Sequence, residues 1–272
     1  MNLYDLPPVA AVLDGAHALL MRLAELLGPF TGTSSAAAAI VLVTLFVRAA
    51  LIPVGISQAK AERTRARLAP RLAELRRRHA KDPERLQRET MALYAEEGAS
   101  PFAGCLPMLV QAPVVGVIYA LFVLPTIAGH PNALLEQTLF GVPLGSSLVG
   151  SIASGTLTPG ALLVFGAVIA TIALVGELTR RAFRPQPTSP QTSAARPGDA
   201  AAGTTDAAAA VLGSAAMLRV VGLLQFVTAV IAAFVPLAAA LYLLVTVTWT
   251  LGQRLVLRRV YPLPPALPAL PA

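Results

Sequence analysis

The chain has one cysteine, two lysines, one tryptophan and three histidines, and only 13% of its residues are charged. A lone Cys105 cannot close an intramolecular disulfide, and no group of Cys and His has the spacing of a structural zinc site. Disulfide and metal scaffolds are thereby excluded, and no cofactor is implied. Neither Lys60 nor Lys81 follows a glycine-rich turn, which removes the phosphate-cradling loop of an ATP motor. Soluble domains carry roughly 25% charged residues. With so few charges and 56% hydrophobic residues, a water-facing surface would be covered in apolar patches. What the sequence has instead is long uncharged apolar runs.

A helix crossing about 30 Å of hydrocarbon needs roughly 20 such residues. Residues 35–56, with Arg48 as their one charge, supply a first crossing; 105–127 and 160–178 supply the second and third. Residues 220–253 carry no charge, and as one helix would be roughly 51 Å long, too long for a single crossing. Pro236, near the middle, lacks an amide donor and clashes with the preceding turn, so a break there predicts spans at 220–235 and 237–256. The fold class expected is all-α: a polytopic membrane protein of five spans.

Basic residues gather on one side of these spans. Of 21 Lys and Arg, eleven lie in 57–98, Arg180, Arg181, Arg184, Arg196 and Arg219 lie in 179–219, and Arg254, Arg258 and Arg259 follow the fifth span. Segment 128–159, the loop on the other side, has none. Cytoplasmic loops retain an excess of Lys and Arg, so the amino terminus is expected outside a plasma membrane and the carboxyl terminus inside. The same bias accounts for the net charge of +7 without a specific nucleic acid partner.

Residues 1–34 are expected as an outer tail, and 1–30 lack the basic start and continuous apolar core of a removable signal peptide. Apolar residues from Val9 to Leu27 recur at helical spacing with Asp14, His17, Arg22 and Glu25 off their face, predicting an amphipathic helix in the outer interface. Residues 57–98 turn abruptly to Ala, Leu, Arg and Glu, and Asp82-Pro83-Glu84 supplies an N-cap, a first-turn proline and an early acid. That predicts a cytoplasmic helical hairpin, Leu68, Leu72 and Leu75 facing Leu86, Met91 and Leu93. Its Arg63, Arg67, Arg71, Arg76, Arg77 and Arg78 leave two readings open. They form either a solvated face that fixes topology or a docking arm for a ribosome, a targeting receptor or lipid headgroups. Residues 184–210 read as a flexible linker, and the Pro-rich tail in 257–272 as extended polyproline.

Arg48 carries the functional argument. Its Cα is expected roughly 12 Å from the cytoplasmic end of the first span. An arginine at that depth costs about 2.5–3.5 kcal/mol on insertion scales, and normally faces a partner or a hydrated cavity. Glu177, the one carboxylate bordering the other spans, sits at a cytoplasmic end and offers no buried mate. The candidates to line a groove with Arg48 are Gln111, Tyr119, Thr171, Gln225, Thr228, Tyr242 and Thr246. Such a groove would attract polar or acidic segments and let apolar ones pass into lipid.

Ser100 to Tyr119, SPFAGCLPMLVQAPVVGVIY, and Phe234 to Gln253, with Pro236, Tyr242, Trp249, Gly252 and Gln253, complete a pattern. With the arginine in span one and the hairpin after it, the chain resembles YidC-type membrane protein insertases, the bacterial branch of the oxidase-assembly superfamily. The form expected is compact, without a large outer domain. The resemblance implies a bacterial cell membrane protein that is not an enzyme. It implies nascent small membrane proteins as substrates, lipid contact, and work alone or beside the secretion channel. It also implies a cytoplasm-facing groove in which Arg48 receives a substrate's polar tail without nucleotide hydrolysis. The sequence departs from the family at Leu243, Thr246, Val247 and Ile172, which leaves Arg48 more isolated. The alternative is a small anion transporter or channel with Arg48 as its binding charge.

Overall fold

A computed structural model describes residues 6–80, 82–98, 106–127, 129–183 and 226–262, with 106–114 as helical backbone only. Cys105, the Gln111 side chain, the loop from 184 to 219, Gln225 with the start of the expected fourth span, and the tail from 263 lie outside the described residues.

The described chain is helical apart from one loop. The helices are α1 (Pro7–Thr31), α2 (Ser35–Ala50), α3 (Ile52–Arg78), α4 (Pro83–Glu96), α5 (Leu106–Val123), α6 (Leu148–Ala153), α7 (Pro159–Ala182), α8 (Val227–Phe234) and α9 (Leu237–Val260). Three described stretches are long and apolar enough to cross a membrane: Pro7–Ala50, Pro159–Ala182 and Leu237–Val260. The first is not one rod, because the chain turns at Gly32 (φ +57°) and α1 packs back on α2.

Small side chains set the helix packing. Ala36, Ala37 and Ala39 on α2, Ala229 and Ala232 on α8, and Ala238 to Ala240 on α9 are buried, which lets backbones approach closely where lipid gives no hydrophobic drive between helices. Phe165 and Ile172 of α7 fill the space between them. Outward faces are apolar as well: Phe46, Leu163, Leu174, Val230 and Phe234 are well exposed, as suits side chains solvated by hydrocarbon. Thr171 and Thr248 donate to carbonyls one turn earlier, Ala167 and Leu244, so their hydroxyls need no other partner in lipid.

The loop from 125 to 158 closes one end of the bundle. It holds two short antiparallel ladders, β1 (Thr126–Ile127) with β2 (His130–Pro131) and β3 (Thr138–Leu139) with β4 (Val142–Pro143), paired Ile127↔His130 and Leu139↔Val142. The β3–β4 turn places both Phe140 (φ +49°) and Gly141 (φ +83°) in the left-handed region, the two-residue form that matches strand twist. Asn132 donates through Nδ2 to the Leu121 and Leu124 carbonyls at the end of α5, at 2.8 and 3.0 Å. Pro236 does break the helix: α8 stops at Phe234, and Val235 and Pro236 are extended. The amides this frees are taken up by the loop, Leu237 donating to Ser146 (2.8 Å) and Ala238 to Leu144 (2.9 Å).

Three local expectations change. The stretch 35–56 is not continuous, because Leu51 leaves the helix and Ile52 starts a new one. Pro53 explains it: a proline there cannot donate to Ala49 and its ring crowds that carbonyl. His17 is expected on the wet face of α1, yet its Nε2 is buried with no partner among the described residues. It lies between the buried Leu13, Leu20 and Ala24 in one 3- and 4-residue stripe, and α1 packs on both α2 and α5. Met91 is 44% exposed rather than facing α3; the inner face of α4 runs through Leu86, Thr90 and Leu93. Asp82 caps that helix, its Oδ1 accepting from the Arg85 amide at 2.9 Å.

Candidate functional site

Arg48 occupies the last turn of α2, three residues before the chain bends at Leu51. Unpaired carbonyls at that helix end carry partial negative charge, worth about 0.3–1 kcal/mol to a cation there. That would offset only part of the cost of a guanidinium placed deep in an apolar layer. Arg48 is half-buried and makes no ion pair among the described residues.

Two hollows meet at this side chain. One, about 880 Å³, lies between α1, α2, α5 and α9, with Leu20, Leu23, Phe46, Ile118, Phe122 and Tyr242 among its walls; its one charged lining residue is Arg48. The other, about 330 Å³, lies between α3 and α9 and is polar: Arg48 shares it with Gln58, Glu62, Thr250, Gln253, Arg254 and Arg258. Arg48 therefore joins an apolar space to a charged one.

The polar space is shaped by a close approach of helices. Gln253 lies over Gly55, where an added Cβ would fall 1.7 Å from its Nε2. The Gln253 Oε1 accepts from Trp249 Nε1 at 3.1 Å, which fixes the amide. Gly55→Ala is expected to push that amide aside while gaining up to about 1 kcal/mol of helix propensity. The expected result is a changed emission spectrum from Trp249, the only tryptophan, with no loss of thermal stability. An unchanged spectrum would count against this contact.

The structure brings together some expected groove residues and not others. Tyr242 lines the apolar hollow with Arg48, its ring 6.2 Å from that of Phe122. Thr246 follows one turn later, its buried Oγ1 without a partner among the described residues. Thr228 lines a separate hollow of about 110 Å³ between α7, α8 and α9, which touches the polar one only through Thr250. Tyr119 is 48% exposed and Thr171 faces outward; neither lines a hollow shared with Arg48. Gln225 and the Gln111 side chain lie outside the described residues.

Sequence reading missed Glu62, Thr250, Gln253, Arg254 and Arg258. A signal was there: Tyr242, Thr246, Thr250, Arg254 and Arg258 recur every four residues, one polar stripe along α9. Ending the fifth span at 256 cut that stripe before its last member.

Six of the seven arginines of α3 divide into two sets. Arg67 (2.6 Å) and Arg71 (3.1 Å) both bond Glu97, and Arg78 pairs with Glu74. Two ion pairs to one carboxylate, with the His79–Glu89 contact at 3.0 Å and buried Leu68 and Leu93, hold α4 against α3. The Arg85 guanidinium beside Glu89, with His79 opposite, holds its carboxyl below the ordinary range. Arg63, Arg76 and Arg77 are exposed and make no ion pair among the described residues, so they remain free for a partner.

The 60Kd inner membrane protein family matches residues 27–263 of this chain. Similar curated proteins include a membrane protein insertase YidC of Oceanobacillus iheyensis, 39% identical over 97 residues that make up 34% of this chain and 38% of the relative. A protein of the same name from Alkalihalophilus pseudofirmus is 35% identical over 108 residues, 37% of this chain and 41% of the relative. The membrane protein insertase MisCA of Bacillus subtilis is 32% identical over 117 residues, 41% and 43% of the two chains. These matches span about two fifths of the length of each relative.

Proposed function

Because the chain belongs to the 60Kd inner membrane protein family and is membrane-embedded, we propose that it is a membrane protein insertase. In this reading it receives the polar tails of small membrane proteins at Arg48 and releases their apolar helices into lipid. The observation that carries the proposal is the position of Arg48 between a polar hollow at the basic end of the bundle and an apolar hollow within it. A tail with acidic or polar groups is held at the first, while the helix that follows it is solvated by the second.

No bond is made or broken in this process, and no nucleotide is needed. An apolar helix leaving water gains about 0.8 kcal/mol per buried methylene, so a span of ordinary length drives its own transfer. An acidic tail moving outward gains a further ~2.3 kcal/mol per charge at 100 mV. The groove lowers the barrier; the substrate supplies the work.

The membrane arrangement proposed with it has α2, α5, α7, the segment ending in α8, and α9 as five spans. The 125–158 loop then lies outside, and α3, α4 and the arginine-rich helix ends lie in the cytoplasm. Supporting this, the loop meets the start of α2 (Phe140 amide to Ser34 Oγ, 3.4 Å), the end of α5 and the start of α9, and its own sequence from 125 to 158 has no Lys or Arg. Exposed Val12, Leu19, Leu26 and Phe30 on α1 would then meet lipid near the outer side. Arg63, Arg76 and Arg77 are the surface proposed for a ribosome or targeting receptor, and the secretion channel remains a proposed partner in the plane of the membrane. All similar proteins named above are insertases by name, and none favours the anion-channel reading.

The test is reconstitution of purified protein into vesicles without nucleotide. A single-span reporter should become protected from added protease, and should do so faster than in protein-free vesicles. Equal protection with and without the protein would reject the proposal.

A further inference from the structure

Three arginines line the polar hollow, Arg48 from α2 and Arg254 and Arg258 from α9, and one acid of the same chain reaches into it, Glu62 of α3. Glu62 is paired with the outermost of the three: Arg258 Nη2 lies 3.7 Å from Glu62 Oε1. That contact is long, and its side chains are 43% and 62% exposed, the conditions under which an ion pair is weak and exchangeable. Arg258 is held a second way. Its guanidinium carbon sits 4.2 Å from the centre of the Phe183 ring at the end of α7. The arginine thus keeps its place when the acid lets go.

Spacing along α9 orders the rest. Arg258, Arg254, Thr250 and Thr246 lie one turn apart on one face, a track of about 18 Å that runs from the bundle's basic end toward Tyr242 and the apolar hollow. Neither Arg48 nor Arg254 makes an ion pair among the described residues. The hollow therefore holds three cations and one weakly bound carboxylate.

Resting on the insertase reading, we propose that Arg254 and Arg258 act with Arg48 as the acceptor for an acidic peptide segment, and that Glu62 is its resident competitor. An incoming Asp or Glu displaces Glu62 from Arg258, moves past Arg254 and reaches Arg48. Glu62 then sets the concentration at which acidic tails fill the hollow: an incoming carboxylate must outcompete it at Arg258, whereas a tail without acids does not draw on these arginines and is indifferent to it.

The experiment uses the full chain in vesicles of zwitterionic phospholipid and two single-span reporters, one with a short tail of alternating Asp and Ser, the other with Asn in place of Asp. Glu62→Gln should lower the half-saturating concentration of the acidic reporter by about three- to tenfold and leave the neutral one unchanged, and Arg258→Gln should raise it by a similar factor. The double variant should behave as Arg258→Gln alone, because the competitor has nothing left to cover. Matching melting temperatures and a Glu62→Ala variant guard against a folding defect. Loss of acidic-reporter insertion in both Glu62 variants, or equal changes for the two reporters, would overturn the proposal and leave the pair a structural tie. Arg48→Ala, run in parallel, separates the two levels. If it affects neither reporter, the groove reading itself fails; if it impairs the acidic one while Glu62→Gln changes nothing, only the competitor proposal fails.

Discussion

Arg48→Ala is expected to cut insertion of acid-tailed substrates by roughly 10- to 100-fold while leaving the protein as stable as before, or more so. A carboxylate 4 Å from a guanidinium gains about 4 kcal/mol at an effective dielectric of 20. Half of that surviving hydration and salt is still worth a factor of about 30. Stability moves the other way because Arg48 has no ion pair to lose among the described residues. Its removal gives back the cost of an unpaired charge at depth, less the fraction contributed by the end of α2. A structural arginine would show the reverse, a lower melting temperature with parallel loss for all substrates. Arg48→Lys should keep most activity, since the pocket needs a cation more than a planar fork. Protease protection of acidic and neutral reporters, with melting curves in detergent, decides it. Equal insertion by wild type and the alanine variant would remove Arg48 from the mechanism.

How much of this was visible in the amino-acid order depends on where the determining physics is local. The break at Pro236 and the start of α4 at Asp82 were legible because a missing amide and a side-chain cap act within a few residues. The bend at Leu51 was equally local but hidden: Pro53 can open a helix as well as end one, and the apolar run on both sides suggested continuity. Facing was harder. His17 faces inward because α1 packs against both α2 and α5, and Met91 points outward because Leu86, Thr90 and Leu93 form the inner face of α4. Arg48 drew notice because a charge in an apolar run is rare. Arg254 and Arg258, just past the end of one, passed as topology signals, although the four-residue spacing back to Tyr242 tied them to the same face.

Asn132→Leu should be the most destabilising polar substitution in the loop, although the two side chains have the same number and branching of heavy atoms. Asn132 is 3% exposed, its amide nitrogen serves both the Leu121 and Leu124 carbonyls, and its own backbone N–H donates to Pro125 at 2.9 Å. Leucine keeps the backbone bond and the packing but leaves two carbonyls at the end of α5 with no donor and no room for water. Each such group costs about 1–3 kcal/mol, and losing the amide's Oδ1, buried without a partner among the described residues, gives part of that back, so a net loss near 1–3 kcal/mol and a fall in melting temperature of roughly 3–10 °C are expected. Asn132→Ala should cost less, because the space it opens admits water to the same carbonyls. This order, alanine milder than leucine, is opposite to what a packing site gives. The effect should also reach the hollow beside Arg48, since Leu121 and Phe122 form part of its wall and α9, seated on the same loop through Leu144 and Ser146, supplies Tyr242. Hydrogen exchange should accelerate in the last turn of α5 and the first turn of α9 together, while α3 and α4 stay protected. Faster exchange confined to α5 would mean that the loop does not couple the two helices, and a leucine variant as stable as wild type would remove Asn132 as the cap.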